Sequence, residues 1–429
     1  MGLDADLPKL VEELKVSRGV RCLFYRNTDN PTLAVFGSIR AGTASEPGEK
    51  QGLAELTTRL LIRGTNRLGA TKLADTLESV GAAVSFRNNQ DTISFQARTI
   101  STWTGRILRI ISECLTKPAL RPKDIEKEKE ELITDIRLRD DDTTRRGMGE
   151  LQRLVYAPDH PYRHDRLGTT ETAKRIERVD VKDYLENRVG RAPVILAFAG
   201  MFDKAEVVKW AARTFGEREE AGDGQDGSRR YAFEPKAESK EIVMPHKTQS
   251  DIIIGTSATS RTDPDYEPLN LLNTVLGELG FMGRLGQRVR DKEGLAYSAT
   301  SFLNAASRGG MWAALAGVNP RNVVRASELI QEELKRVREE PVGSEELEAA
   351  KQNQIGSALM ELESTEGVAR VSHNLTHFGL GLDYFTKRKQ AYGKISQAEL
   401  QSMAAKYLDP SRLSTIIVGP KLKTSVSKS

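Results

Sequence analysis

One short segment places ionisable side chains at the spacing that metal-binding helices use. Between Gly52 and Thr65, the residues Glu55, Thr58 and Arg59 stand at positions i, i+3 and i+4. Side chains at these positions share one face of a helix. Glu55 could bind a metal ion, but the guanidinium of Arg59 stays positively charged and has no lone pair to donate. The segment therefore predicts an ion pair between Glu55 and Arg59, and no metal site.

Two histidine pairs are the other candidates for metal binding. His373 and His377 stand four residues apart in a segment with helical character, and His160 and His164 flank Pro161. A zinc site needs three or four ligands that converge on one point. Neither pair has a carboxylate or thiolate at a suitable spacing, and proline breaks helical geometry in the second pair. We therefore do not expect either pair to bind metal.

The elements that must position these residues occur in the same order twice along the chain. The first half reads as strands at 20–25 and 32–39, helices at 52–65 and 71–80, hairpin strands at 83–87 and 92–97, and a helix at 102–115. The second half reads as a strand at 251–257, helices at 268–276 and 282–290, hairpin strands at 296–305 and 310–317, and a helix at 321–338. The repeat predicts two homologous α+β domains, each an antiparallel sheet with helices packed on one face, which together enclose a cavity.

A polar segment separates the two halves. Residues 219–240 are rich in Gly, Asp, Glu and Arg and poor in apolar residues, as solvated linkers are. A chain of 429 residues is also too long for a single hydrophobic core. We predict an N-terminal domain at 1–218, a linker at 219–240 and a C-terminal domain at 241–429.

Composition excludes several classes of protein. The 64 basic and 60 acidic residues give a formal charge of +4, so the balance offers no support for nucleic-acid binding. No apolar run is long enough to span a membrane. The N-terminal residues show neither a basic leader nor an apolar signal region, which predicts a cytoplasmic protein. A periplasmic or organellar location would require that a leader had been removed.

The segment at 52–65 resembles the zinc-binding helix of the pitrilysin and mitochondrial-processing-peptidase family. That helix reads Gly-Leu-Ala-His-x-x-Glu-His, followed by an apolar pair and Gly-Thr. The positions that keep this frame are Gly52, Leu53, Ala54, Gly64 and Thr65. Residues 154–169 and 194–203 look like the family's His-Pro-Tyr segment and closing strand, so the resemblance covers nearly the whole chain. It implies the family's two-domain α+β fold.

The same resemblance implies that the metal site of the family is degenerate here. Glu55 stands where the family has its first His ligand, Thr58 where it has the general-base Glu, and Arg59 where it has the second His. Asp135 corresponds to the third ligand, a Glu on a later helix. On this basis the chain holds no metal.

Residues 283–298 keep a second family pattern, whose Arg and Tyr face the zinc in active members. Carried over, these residues are Arg290 and Tyr297. Hydrolysis of a peptide bond develops negative charge on the carbonyl oxygen, which a guanidinium and a phenol can stabilise. Neither group can activate water. The resemblance also implies that an edge strand of the first hairpin, around residues 84–87 or 92–96, presents backbone groups to an extended peptide, with Val84, Ser85 and Phe86 as the substrate strand.

Two functions follow as hypotheses. In two-chain members of the family, one subunit brings the zinc helix and the other brings the Arg and Tyr. This chain would then be the non-metal subunit of a heterodimeric zinc endopeptidase, inactive alone, with zinc in a homologous partner that carries His-x-x-Glu-His and with peptides as substrates. The alternative is an inactive structural or peptide-binding homologue, like the core subunits of the respiratory complex.

Overall fold

The chain forms two compact units. The computed structural model describes residues 7–220, 235–280 and 282–422. Unit 1 comprises the segments Met1–Arg137, His164–Asp226 and Ala358–Thr386, and unit 2 comprises Leu138–Arg163, Gly227–Ser357 and Lys387–Ser429. The segment Leu138–Arg163 comes from the first half of the chain but belongs to unit 2, and the segment Ala358–Thr386 comes from the second half but belongs to unit 1. Most of the predicted linker, residues 221–234, lies outside the described residues.

Unit 1 is built on a six-stranded sheet. Its strands are β1 (Glu12–Ser17), β2 (Val20–Arg26), β3 (Thr32–Ile39), β4 (Ala83–Asn88), β5 (Ile93–Ile100) and β6 (Val194–Gly200). The order is β1-β2-β6-β3-β5-β4, with β2 and β6 parallel and the other neighbours antiparallel. The sequence pattern missed β1, because most of its residues are exposed and only Leu14 and Val16 are apolar, which is too short an alternation to indicate a strand.

The helices of the first half follow the predicted order. They are α1 (Leu7–Leu10), α2 (Leu53–Leu61), α3 (Ala70–Glu78), α4 (Thr104–Thr116), α5 (Pro122–Asp141), α6 (Thr143–Val155), α7 (Thr170–Arg175), α8 (Arg178–Tyr184) and α9 (Lys204–Phe215). A π-helical turn, Leu185–Val189, continues α8.

Unit 2 repeats this plan on a five-stranded sheet. Its strands are β7 (Ser239–Val243), β8 (Ser250–Ala258), β9 (Ala296–Ala306), β10 (Gly309–Val318) and β11 (Ser414–Gly419). The order is β7-β11-β8-β10-β9, in which β7 and β11 are parallel and the other neighbours are antiparallel. The predicted α+β class and the two related domains are thus confirmed.

The helices of the second half include two π-helical segments in place of regular α-helix. The helices are α10 (Tyr266–Asn273), α11 (Gly283–Leu285), α12 (Val323–Glu339), α13 (Ser344–Glu361), α14 (Thr365–His377), α15 (Tyr384–Lys394) and α16 (Gln397–Tyr407). The π-helical segments are Thr274–Glu278, which continues α10, and Gly286–Lys292, which continues α11. Among the described residues, no helix has both the length and the apolar character needed to cross a membrane.

Each sheet is covered on both faces, whereas the sequence predicted helices on one face only. In unit 1, Cys22 and Phe24 of β2 belong to the main core, while Leu23 and Tyr25 pack in a second core with residues of α14. Alternate side chains of a strand point to opposite faces, so α14 covers the face opposite the main core. In unit 2, α6 packs against β8 and β11.

Helix α6 approaches its sheet closely through a glycine. A Cβ at Gly147 would lie 2.2 Å from Ile253 Cδ1 and 3.0 Å from Val418 Cγ2. The N-terminus of α6 is held by Thr143 and Thr144, whose hydroxyls donate to the buried carboxylate of Asp251 at 2.6 and 2.7 Å. These contacts fix a segment of the first half onto the sheet of unit 2.

We expect Gly147→Leu to lower the free energy of unfolding by about 1–3 kcal/mol, because the new side chain has no space between α6 and β8. Gly149→Leu is the matched control in the same helix, since a Cβ there meets nothing within 4 Å. Urea unfolding of the two variants measures the difference. Equal stabilities would show that α6 is not packed on the sheet in this way.

A buried histidine fixes the other exchanged helix, α14. His373 is 8% exposed, and its Nε2 lies 2.8 Å from the hydroxyl of Ser38 on β3. The pKa of His373 is lowered to about 4, mainly by burial and also by the nearby His377, against a weaker opposing effect of Asn374. His373 is therefore neutral in the folded protein at neutral pH.

This histidine makes stability depend on pH in a defined direction. Between pH 6.5 and about 4 the unfolded state binds a proton at His373 and the folded state does not, so stability falls as the pH falls through this window. We expect the free energy of unfolding to fall by roughly 2–3 kcal/mol across this window. When it is measured by urea unfolding over a pH series, the free energy of unfolding of His373→Gln should depend less steeply on pH than that of the wild type. Equal slopes for the two proteins would refute the assignment.

Candidate functional site

The segment with the predicted degenerate site folds as α2, which begins at a glycine and carries an unusual carboxylate cap. Gly52 has a φ of 93°, and the side chain of Glu46 accepts hydrogen bonds from the backbone N–H of Gly52 (3.1 Å) and Ala54 (2.6 Å). The pKa of Glu46 is raised to about 8, and loss of hydration is the largest cause. The hydrogen bonds from the two N–H groups oppose this shift, and the negative charges of Glu55 and Asp165 add to it.

The guanidinium of Arg59 joins two carboxylates that belong to different helices. Its Nε donates to Glu55 Oε1 at 2.9 Å within α2, and its Nη2 donates to Asp135 Oδ2 at 2.7 Å on α5. Glu55 is 6% exposed, so its charge needs a close partner. The predicted pair of Glu55 and Arg59 is confirmed, and the structure adds Asp135 to it. We call Glu55, Arg59 and Asp135 the arginine bridge.

A second cation, Arg166, completes the pairing of Glu55. Its Nη1 donates to Glu55 Oε2 at 2.7 Å. Arg166 can reach α2 because the loop before α7 and the start of α2 meet at two glycines with positive φ, Gly52 and Gly168. A Cβ on Gly168 would lie 2.3 Å from Gln51 O, so any larger residue would separate the two segments. No sequence pattern indicated Arg166 as a partner of Glu55, from which it lies far along the chain.

These residues do not fit a catalytic zinc ion. Both carboxylates of the arginine bridge are already bonded to a guanidinium, and arginine cannot be a ligand. The hydroxyl of Thr58 is buried and donates to the carbonyl of Ala54 at 2.7 Å, so it offers no general base. Across the described part of the chain, no group of three or more His, Cys, Asp or Glu residues has a metal-binding arrangement.

Arg290 and Tyr297 belong to unit 2. Arg290 lies in the π-helical segment Gly286–Lys292 and is half-buried, and Tyr297 lies near the start of the edge strand β9 and is 71% exposed. The turn between them is closed by hydrogen bonds from Gly294 N to Arg290 O (2.9 Å) and from Leu295 N to Val289 O (3.0 Å). The phenol of Tyr297 is therefore available to a molecule outside its own unit.

The histidine pairs serve packing and hydrogen bonding. His160 stacks on Tyr156 with 4.5 Å between ring centroids, and its Nδ1 accepts from Tyr162 N at 3.0 Å. Its Nε2 therefore carries the proton and donates to Arg308 O at 3.3 Å. The His-Pro-Tyr motif thus holds the turn between β9 and β10.

The predicted peptide strand is an edge of the sheet of unit 1. Strand β4 pairs only with β5 in the ordered sheet, so its outer backbone groups have no strand partner there. It includes Val84, Ser85 and Phe86, of which Ser85 is exposed. Helix α2 packs beside β4. The degenerate site and the edge strand are therefore neighbours within unit 1.

Comparison with known proteins agrees with these features. Residues 22–149 match the family Insulinase (Peptidase family M16), and residues 175–354 match the family Peptidase M16 inactive domain. The uncharacterized zinc protease YmxG of Bacillus subtilis is 23% identical over 369 residues, which cover 85% of this chain and 87% of that protein. The mitochondrial-processing peptidase subunit beta of Saccharomyces cerevisiae is 22% identical over 354 residues, which cover 80% and 76%.

Solved structures share the whole fold. A peptidase M16 inactive domain from Pseudomonas fluorescens superimposes with a TM-score of 0.84 at 21% identity and covers 96% of this chain and 98% of its own. A protease from Helicobacter pylori also gives a TM-score of 0.84, at 18% identity, and covers 96% and 99%. The first family match lies within the first half of the chain, and the second match runs from the end of the first half into the second half. Together with the fold, they confirm the resemblance that the segment at 52–65 first suggested: the chain belongs to the M16 family of peptidases.

Proposed function

We propose that this chain is the non-metal subunit of a heterodimeric zinc endopeptidase that cleaves peptides. The arginine bridge is the observation that carries the proposal, since it supplies a positive charge where active relatives would hold zinc. The zinc would then belong to a homologous partner with His-x-x-Glu-His. A relative named as a subunit, the processing-peptidase beta chain, is consistent with such an assembly.

The chemistry left to this chain is the stabilisation of negative charge. A guanidinium and a phenol hydroxyl can both donate hydrogen bonds to the carbonyl oxygen of a peptide bond as charge develops on it. Arg290 and Tyr297 are the residues that we assign to this role in the assembled enzyme. The 71% exposure of Tyr297 supports the assignment, because a phenol so exposed contributes little to its own core.

The edge strand β4 gives the substrate a second way to bind. An extended peptide can add to such an edge through backbone hydrogen bonds, which are independent of its side chains. We assign this role to Val84, Ser85 and Phe86. The same edge would serve a chain that binds peptides without catalysis, which is the alternative function.

The arginine bridge also predicts that α2 and α5 are held together without metal. Arg59→Leu leaves the buried Glu55 with Arg166 alone and should lower the free energy of unfolding by about 2 kcal/mol. Arg67→Leu is the control, because its guanidinium is 73% exposed and lies 3.4 Å from Glu113. The free energy of unfolding of this control variant should stay within about 0.5 kcal/mol of the wild-type value. Equal losses in the two variants, measured by urea unfolding, would show that the bridge is not structural.

Reconstitution tests the catalytic proposal. The chain is mixed with a homologous chain from the same organism that carries His-x-x-Glu-His, and cleavage of a quenched fluorogenic peptide is followed. We expect activity only in the mixture, and a loss of about 10²-fold or more in kcat for Arg290→Ala and for Tyr297→Phe, since each removes a donor to the developing charge. Arg288→Ala is the control, because Arg288 lies in the same segment and pairs with Glu332 at 3.1 Å.

The outcomes separate the two functions. An active mixture that neither substitution affects would refute the roles of Arg290 and Tyr297. A mixture that stays inactive, while the chain still binds the uncleaved peptide, would favour the non-catalytic alternative.

A further inference from the structure

The two guanidinium groups that bind Glu55 keep hydrogen-bond donors that the protein itself does not use. A guanidinium carries five N–H groups. Arg59 donates through Nε and Nη2, and Arg166 donates through Nη1. In the part of the chain that the structure describes, Nη1 of Arg59 and both Nε and Nη2 of Arg166 donate no hydrogen bond. The side chain of Arg59 is 20% exposed and that of Arg166 is 51% exposed, so a ligand can reach both groups.

A single carboxylate fixes the positions of both arginines. Arg59 Nε lies 2.9 Å from Oε1 of Glu55, and Arg166 Nη1 lies 2.7 Å from Oε2. Because Glu55 is buried within α2, it holds the two guanidinium groups side by side. Their remaining donors are therefore positioned before a ligand arrives, which lowers the entropy cost of binding.

The charges of this cluster balance. The guanidinium groups of Arg59 and Arg166 face the carboxylates of Glu55 and Asp135. An added carboxylate would be repelled by these two carboxylates, and an added cation would be repelled by the two guanidinium groups. Balanced charges with unused N–H donors suit a neutral acceptor, and the carbonyl oxygen of a peptide bond is such an acceptor.

One loop contacts both the end of β4 and the start of α2. Thr43 Oγ1 accepts from Nδ2 of Asn88, the last residue of β4, at 2.9 Å. Glu46 of the same loop accepts from Ala54 N at 2.6 Å in the first turn of α2, directly before Glu55. An extended peptide that pairs with the outer edge of β4 therefore reaches, at the end of that strand, the turn of α2 where Glu55 binds its arginines.

We propose that Arg59 and Arg166 bind a backbone carbonyl of an extended peptide that is paired with β4. This role rests on the assignment of β4 to peptide binding in the proposed function. Recognition of a carbonyl does not depend on the side chains of the peptide, and neither does pairing with a strand edge. Thr58 supplies no general base, because its hydroxyl donates to Ala54 O, so unit 1 holds the peptide without cleaving it.

Fluorescence anisotropy with the full chain tests the proposal. The probe is a short peptide of Ser, Thr and Val, dansylated at its N-terminus and amidated at its C-terminus, so that it carries no charge. We expect Arg166→Met to weaken binding of the probe about five-fold, which is the effect of one net hydrogen bond.

Arg21→Met on β2 is the matched control and should leave binding unchanged. The side chain of Arg21 is 54% exposed and pairs with one carboxylate, that of Glu13, at 3.2 Å. Three strands separate β2 from β4 in the sheet. Circular dichroism and the thermal midpoint establish that both variants are folded.

Two further peptides separate failure of the arginines from failure of the strand. An N-methylated peptide of the same sequence lacks the N–H donors that pair with a strand edge, so it should bind weakly to wild type and variants alike. If Arg166→Met binds the unmethylated probe as tightly as the wild type does, the role of the arginines is wrong and the pairing with β4 stands. If the wild type does not bind the probe, or binds both peptides equally, both roles are wrong.

A probe that ends in a free carboxylate should bind no better than the amide. A preference for the carboxylate that Arg166→Met abolishes would show that the ligand is an anion and would overturn the proposal, as would cleavage of the probe by this chain alone, detected by mass spectrometry. The catalytic roles of Arg290 and Tyr297 are tested separately by the reconstitution.

Discussion

The arginine bridge is the interaction on which the rest of this site depends. Glu55 is buried and Asp135 faces it from another helix, and two carboxylates so placed repel one another unless a cation lies between them. Here that cation is the guanidinium of Arg59, and Arg166 balances the remaining charge of Glu55. Because arginine keeps its proton at any physiological pH, the bridge is permanent and needs no metal. The same residue links α2 to α5 and makes these positions unsuitable for a catalytic zinc ion.

The sequence predicted the local part of the site and missed the long-range part. The pairing of Glu55 with Arg59 follows from their i, i+4 spacing, which any helix imposes. The place of Asp135 came from the family resemblance, and the structure gives it a partner. Arg166 had no such signal, since its approach depends on two glycines in different segments whose meeting is a tertiary event. Both glycines stood in segments that resemble the family, Gly52 in residues 52–65 and Gly168 in residues 154–169, but no sequence pattern showed that these segments meet.

The predictions for the fold divide in the same way, into local features that were predicted and features that were missed. The strands with alternating apolar residues were predicted, whereas the charged, exposed β1 was not. The exchange of α6 and α14 between units could not be read from the repeat, because a repeat suggests that each half builds its own domain. The packing of α6 leaves only an ambiguous trace in the sequence. Gly147 and Gly149 both lie within the helix, where glycine lowers helix stability, but only Gly147 meets the sheet, so the sequence does not show which glycine marks the contact.

The residues assigned in the proposed function lie in both units. Unit 1 has helix α2, the edge strand and two carboxylates, which Arg59 and Arg166 neutralise. Unit 2 presents a phenol at the edge of its sheet, in a position that its own core does not use. Replacing Tyr297 would therefore cost the isolated chain little stability, since most of its surface is already in water. The proposed role of Tyr297 depends on a molecule that this chain binds, so the reconstituted pair, rather than the chain alone, is the system that tests it.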